Sequence, residues 1–108
     1  MSITEADRGT FRLRVDSAGS RVHVEVDGHF DIDGWTVLED ALRPLISSAV
    51  LSITINMARV TAIDVAVVAA LKQRHDANVH VICEDPSPNA VAALRANGAA
   101  ALLGPSPN

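Results

Sequence analysis

Two short segments near the start of the chain alternate apolar and polar residues, a period of two that is typical of β-strands with one buried face. In the first, residues 11–15, the apolar side chains alternate with arginine. In the second, residues 22–27, valine alternates with histidine, glutamate and aspartate. Residues 17–20 lie between them and are small and polar, which favours a turn. We therefore predict a β-hairpin whose second strand ends at Gly28.

The next segment changes to a helical period. Its apolar side chains fall on one stripe of a helix, formed by Trp35, Leu38, Leu42, Leu45 and Ile46. Asp31 or Asp33 suits the N-cap, because a short acidic side chain accepts hydrogen bonds from the free N–H groups of the first turn. Pro44 lacks an N–H and clashes with the preceding turn, so we expect it to kink this helix or to end its regular part near Arg43.

A third alternating segment, residues 51–57, predicts another strand, and residues 58–63 are interpreted as a turn. Asp64 then suits the N-cap of a second helix, in which Val68 and Leu71 have the spacing of a face packed on the sheet. An acidic N-cap is a sufficient structural explanation for this aspartate, and contributes about 1 kcal/mol.

Two further elements follow. Residues 79–84 carry apolar side chains on both faces, which indicates a strand that is covered on both sides or central in the sheet. Ser87 and Pro88 are the residue types preferred at the N-cap and the first position of a helix, and Gly98 suits its end. Residues 100–103 could add a short last strand.

This order of elements predicts an α/β fold in which helices pack on one face of a small mixed β-sheet. We expect residues 9–104 to form a single domain, and residues 1–8 and 105–108 to form flexible tails. The chain has 108 residues, of which 48% are hydrophobic, and this is enough for one core. The core must be mostly aliphatic, since the aromatic residues are two Phe and one Trp.

Composition argues against several classes of protein. A net charge of −4 and few aromatic rings argue against nucleic-acid binding, because phosphates need cations and unpaired bases need stacking partners. The single cysteine allows no internal disulfide, and no apolar stretch is long enough to cross a bilayer or to form a secretion signal. We therefore expect a cytoplasmic protein without direct membrane insertion. The preference for arginine over lysine, with many alanines, points to a bacterial source.

The residues offer no catalytic or cofactor site. The four histidines lack metal-ligand spacing, and no glycine-rich phosphate-binding loop is present. Cys83 stands beside Glu84 and Asp85, and these acidic neighbours should raise its thiol pKa, which argues against a nucleophile. We predict that the protein is not an enzyme and needs no metal or cofactor.

Two acidic residues suggest a family. One is Asp31, which closes the sequence Gly-His-Phe-Asp at residues 28–31, and the other is Asp64, which opens the second helix. Their order matches that in STAS domains, the family of anti-sigma factor antagonists, and the chain resembles this family over nearly its whole length. The resemblance implies the STAS fold, with both aspartates on one surface. Both aspartates follow predicted strands, and binding surfaces of open α/β sheets gather at the carboxyl ends of strands.

The chain departs from the family at the start of the second helix. Family members that act as switches carry Asp-Ser-Ser-Gly or Asp-Ser-Thr-Gly there, and a partner kinase phosphorylates the first serine. This chain has Asp64-Val65-Ala66-Val67 instead, so the equivalent of the phosphorylated residue, Val65, has no hydroxyl. Val67 replaces the family's glycine and should add bulk to this surface.

The resemblance implies a non-catalytic protein-interaction module, an anti-sigma factor antagonist-like regulator without the usual phosphorylation site. Its partner would be an anti-sigma factor or a serine-kinase-like regulator, and a homodimer is also compatible with the sequence. Small apolar side chains on the outer face of the second helix should let a partner approach closely. We expect the binding residues to be Asp31, Thr61, Asp64, Val65, Ala66 and Ala69.

Two alternatives remain open. The domain could be the STAS regulatory subunit of a membrane lipid-transport ABC complex, a role that the family also serves. It could instead be a sensor that binds a nucleotide or another small ligand near Asp31 and Asp64. A ligand at 100 times its dissociation constant would add about 2.7 kcal/mol to stability, which a thermal-shift screen would detect.

Overall fold

The computed structural model describes residues 2–7, 11–18, 20–46, 52–76 and 80–103. Two strands come first, three β-α units follow them, and a short 3₁₀ helix comes last. Their bounds are β1 Ser2–Asp7, β2 Phe11–Ala18, β3 Arg21–Phe30, α1 Ile32–Ile46, β4 Ser52–Ile63, α2 Val65–Asp76, β5 His80–Glu84, α3 Pro88–Ala96 and the 3₁₀ helix Ala100–Leu102.

The described strands form one mixed sheet, in the order β1-β2-β3-β4-β5. The pairs β1–β2 and β2–β3 are antiparallel, whereas β3–β4 and β4–β5 are parallel. Helices make the crossovers between the parallel strands, as parallel pairing requires. The predicted fold, a small mixed sheet with helices on one face, is confirmed.

The core lies between the sheet and the helices. Alternate residues of β3 are buried, and the residues between them are exposed along the first half of the strand. Each helix contributes buried apolar side chains to this core, namely Trp35, Leu38 and Leu42 from α1, Val67, Val68 and Leu71 from α2, and Ala90 and Leu94 from α3. The opposite face of the sheet carries ion pairs between neighbouring strands, such as Arg14 of β2 with Glu5 of β1.

The expectation of a flexible tail over residues 1–8 was wrong for Ser2–Asp7, which forms β1. This strand pairs with β2 from Ser2, opposite Ser17, to Asp7, opposite Arg12. Pairing satisfies backbone N–H and C=O groups, and the Asp7 carboxylate lies 3.3 Å from the Arg12 guanidinium. Edge strands of this kind leave little apolar pattern in a sequence. The predicted tail at 105–108 lies outside the described residues.

The predicted turn over residues 58–63 was also wrong, because β4 continues through it. The pairing of β3 with β4 shifts register twice, and each shift adds one residue to β4. Bulges of this kind bend a strand and break its alternation, so only Val60 and Ile63 are buried beyond Met57. Gly28 does not end β3 but lies at the second shift, where its φ of 89° suits a residue without a side chain.

Four further expectations concern α1, β5, residues 100–103 and the start of α3. Helix α1 runs past Pro44 to Ile46, so it does not end near Arg43, and a kink at Pro44 stays a prediction. Strand β5 is the last strand of the described sheet rather than a central one. Residues 100–102 form a 3₁₀ helix instead of a strand, and only Leu103 makes a parallel bridge, to Cys83 of β5. The predicted cap of α3 is confirmed, since the Ser87 side chain accepts a hydrogen bond from the backbone N–H of Ala90.

Candidate functional site

The carboxyl ends of β3 and β4 bring the two acidic residues together. Phe30 and Ile63 are paired at the ends of these strands, and each is followed directly by an aspartate. The backbone N–H of Asp64 donates a hydrogen bond to the carbonyl of Phe30, at 3.1 Å. Asp31 and Asp64 therefore leave the sheet side by side, and the starts of α1 and α2 lie at one edge, as the resemblance implied.

Asp31 is the N-cap of α1. Its Oδ1 accepts a hydrogen bond of 2.9 Å from the N–H of Gly34, and its carbonyl accepts one from Trp35. A side chain at Gly34 would meet the Phe30 ring, because a Cβ built there lies 3.3 Å from Cδ1 of that ring. The hydrogen bond from Gly34 thus holds the Asp31 carboxylate against its own helix, and the start of this helix packs closely on the end of β3.

Asp64 occupies the equivalent position of α2, but its side chain is used differently. Its Oδ1 lies 2.9 Å from His29 Nε2, and both side chains are 44% exposed. The first turn of α2 closes instead on the backbone carbonyl of Asp64, which accepts from the N–H groups of Val67 and Val68. The carboxylate therefore ties the start of α2 to the end of β3, in place of the predicted capping of its own helix.

Two large apolar side chains project from these helix starts. Ile32 is 49% exposed and Val65 is 65% exposed, and they are the large hydrophobic residues exposed within the described ranges. Each directly follows one of the two aspartates. Apolar side chains that remain exposed this far could gain further burial only against another molecule.

The outer face of α2 is exposed, as predicted. Ala66 and Ala69 are exposed, whereas Val68 and Leu71 are buried. Val67 is fully buried, so the expectation that its bulk would obstruct this surface was wrong. The extra methyl groups relative to glycine pack in the core, because position 67 faces inward on the first turn.

Thr61 lies on the stretch of β4 that leads to α2. Its side chain is exposed, and its backbone carbonyl accepts a hydrogen bond of 2.8 Å from Asn89 Nδ2 of α3. It therefore stands beside α3 at the same end of the sheet, three residues before Asp64.

Sequence reasoning missed His29 and Ile32. His29 was assigned no partner, since its contact with Asp64 joins residues 35 positions apart. Ile32 stands three residues before Trp35, a spacing that would place it on the buried stripe. Ile32 is nevertheless exposed as the first residue of α1, whereas Trp35 is buried. The only local signal was an isoleucine directly after a predicted cap.

Three further expectations concern a reactive thiol, a metal site and a membrane span. Cys83 is buried, and this burial raises its pKa from 9.0 to about 12. The predicted direction of this shift is correct, but its cause is loss of hydration rather than the acidic neighbours. Within the described ranges, no group of three or more His, Cys, Asp or Glu residues could hold a metal ion. No helix there is long and apolar enough to cross a membrane.

Comparisons with known proteins agree on one family. The family described as "Mlab, STAS domain" matches residues 13–104. A structure of the anti-sigma factor antagonist SpoIIAA in its unphosphorylated form is similar, with a TM-score of 0.75, 16% identity and 87% of each chain covered. An anti-sigma factor antagonist from Mycobacterium paratuberculosis is similar with a TM-score of 0.65 and 17% identity, over 98% of this chain and 88% of that one. No curated protein sequence matches the chain significantly.

Proposed function

Because the chain belongs to the STAS-domain family, we propose that it is a non-catalytic, anti-sigma factor antagonist-like module that binds a regulatory protein. The partner binds at the carboxyl edge of β3 and β4. We define the helix-start surface there as Asp31, Ile32, Thr61, Asp64, Val65, Ala66 and Ala69. The observation that carries this proposal is the exposure of Ile32 and Val65, 49% and 65%, on adjacent helix starts.

Packing on α2 explains why these residues are available to a partner. Helix α2 packs on the core through Val67, Val68 and Leu71. Its opposite face makes no part of this packing and is therefore open to another protein. Val65 and Ala69 are one turn apart and lie on the same side of the helix. Their small side chains would allow another protein to approach the backbone closely, while the aspartates provide polar contacts at the margin.

We further propose that binding is not controlled by phosphorylation at the start of α2. Residue 65 is the first of the helix and is a valine, which cannot accept a phosphoryl group. A phosphate there would add about −1.5 to −2 charges to an interface, enough to eject a partner. The complex would therefore be regulated by the abundance of its components or by modification elsewhere.

The proposed partner is an anti-sigma factor or a related serine-kinase-like regulator, present with the protein in the cytoplasm. This choice is supported by the two similar solved structures, both named as anti-sigma factor antagonists. Their TM-scores of 0.75 and 0.65 show a shared fold, and at 16% and 17% identity the partner class is tested by the titrations below.

The substitution Ala66→Glu tests the surface. An acidic residue in the first turn is favourable to a helix by about 0.3–1 kcal/mol, so the fold should be retained. At an interface the same carboxylate is buried without a partner, which costs several kcal/mol, so the affinity should fall at least ~100-fold. The measurement is calorimetry with a purified serine-kinase-like anti-sigma factor, accompanied by thermal melting.

Ala92→Glu is the matched control, since Ala92 is exposed on α3 and is not one of the residues of the helix-start surface. It should bind with unchanged affinity. Normal binding by Ala66→Glu would place the contact elsewhere on the domain. A parallel titration with the ATPase subunit of a lipid-transport complex decides between the two partner classes, since binding to that subunit alone would favour the alternative role.

A further inference from the structure

Strand β4 changes its neighbour on one side before it reaches α2. Its pairing with β5 ends at Asn56, opposite Glu84. Directly afterwards Asp85 has a φ of 46°, a left-handed conformation that turns the chain away from β4. The carbonyl groups of β4 on that side, from Met57 onward, then need other donors.

The start of α3 supplies these donors. The backbone N–H of Ser87 donates to the carbonyl of Met57 at 3.0 Å, and the Ser87 hydroxyl donates to the carbonyl of Val60 at 2.5 Å. The Asn89 side-chain amide donates to the carbonyl of Thr61 at 2.8 Å. The first turn of α3 therefore replaces a strand along this part of β4.

Asn89 is informative because its side chain bonds outside its own helix. Asn97, at the other end of α3, directs the same amide group to the carbonyl of Ala93 within the helix, at 2.7 Å. The Ser87 hydroxyl also accepts from Ala90, so its position is explained in part by capping. The Asn89 amide reaches Thr61, two residues before the Ile63 that precedes Asp64.

We infer that Asn89, assisted by Ser87, is a positioning residue for the helix-start surface: it holds residues 57–61 and thereby fixes where Asp64 and Val65 lie. Its effect on binding rests on the proposed function, whereas its effect on the mobility of β4 does not. Helix α3 thus supports the contact surface without belonging to it.

The decisive variant is Asn89→Asp. Aspartate has the same shape but cannot donate to the Thr61 carbonyl, and an acidic residue in the first turn favours α3 itself. We expect amide hydrogen exchange over residues 59–65 to rise about fivefold, the factor for loss of one hydrogen bond. Exchange in the central residues of α3 should not rise. Asn97→Ala, which removes an amide-to-carbonyl bond of similar length, should leave residues 59–65 unchanged.

A spin label gives a second readout. In the variant Ala62→Cys, the introduced thiol is exposed, whereas Cys83 is buried with its pKa raised to about 12 and reacts slowly. Asn89→Asp should increase the mobility of a nitroxide at position 62, and Asn97→Ala should not. Unchanged exchange over residues 59–65, together with unchanged label mobility, would overturn the positioning role.

Affinity measurements distinguish a failure of this inference from a failure of the proposed function. With a purified serine-kinase-like anti-sigma factor, Asn89→Asp should weaken affinity about fivefold, the factor for one hydrogen bond, and Asn97→Ala should not. Faster exchange with unchanged affinity, where Ala66→Glu does weaken binding, would overturn the link from Asn89 to the surface. Normal binding by Ala66→Glu would refute the proposed function, and the exchange measurement would still decide whether Asn89 holds β4.

Discussion

The starts of α2 and α3 both follow parallel strands at the same edge of the sheet, but they use their side chains differently. At α3, the Ser87 hydroxyl accepts from the first turn and donates to β4, so its polar groups are satisfied within the chain. At α2, the Asp64 carboxylate contacts His29, and Val65 leaves 65% of its surface exposed. One helix start makes its polar contacts within the chain, whereas the other leaves apolar surface exposed, where we propose that a partner binds.

This difference shows that position at the strand ends does not by itself determine how much apolar surface a helix start leaves exposed. Both helices have the location that open α/β sheets use for binding. The two helices differ in the first residue of the first turn. Helix α2 begins with Val65, which is mostly exposed, and α3 begins with Pro88, a residue type preferred at this position. We therefore expect substitutions on the inner face of α2 and at the cap of α3 to lower the free energy of unfolding, and substitutions at the start of α2 to change it little.

The largest effect should come from Leu71→Ala, on the inner face of α2. Leu71 is 1% exposed, and truncation leaves a cavity as well as losing burial, so unfolding in denaturant should need about 2–5 kcal/mol less free energy. Lys72→Ala, on the exposed side of the same helix, should change this free energy by less than about 0.5 kcal/mol. Equal losses would mean that the inner face does not hold α2.

Next is Ser87→Ala, at the start of α3. The substitution removes the hydroxyl that accepts from the Ala90 N–H and donates to the Val60 carbonyl. It should lower the free energy of unfolding by about 1–2 kcal/mol. Chemical denaturation with a constant m-value checks this. A neutral effect would show that the α3 start contributes no more than the α2 start, which would remove the contrast drawn between them.

A smaller effect is expected for Asp64→Ala. Its partner His29 is as exposed as Asp64 itself, at 44%, and pairs of this kind contribute about 0–1 kcal/mol in water. A loss larger than that of Ser87→Ala, measured under the same conditions, would mean that Asp64 is primarily a structural residue.

No change at all is expected on incubation with a serine kinase that modifies other STAS proteins. Mass spectrometry of the intact chain and of its peptides should find no phosphate on residues 58–70, because Val65 offers no hydroxyl and the hydroxyl of Thr61 lies on β4, outside the motif at the start of α2. A STAS protein with the serine motif is the positive control. The double variant Val65→Ser with Ala66→Ser restores two hydroxyls and leaves the buried Val67 in place, and should become a substrate where the kinase docks. A phosphopeptide from the unaltered chain would contradict the proposal.

Several features were determined by the sequence itself. Alternation identified the β2–β3 hairpin and the first part of β4, and Trp35, Leu38 and Leu42 of the predicted α1 stripe were correctly assigned to the core. The Ser-Pro start of α3 was recognised from cap preferences, and the outer residues of α2 from helical spacing. These signals are local, because strand alternation, helical periodicity and capping each depend on residues within a few positions of one another.

Tertiary structure decided the rest. Strand β1, the bulged end of β4 and the edge position of β5 depend on pairing with segments distant in sequence, where backbone groups rather than side-chain patterns make the bonds. The contacts of Asp64 with His29 and of Asn89 with Thr61 join residues 35 and 28 positions apart. No local pattern reports such contacts, because they exist only once the sheet has brought the strand ends together. For that reason the sequence indicated where a partner could bind, and the packing of α1, α2 and α3 determined which side chains remain exposed there.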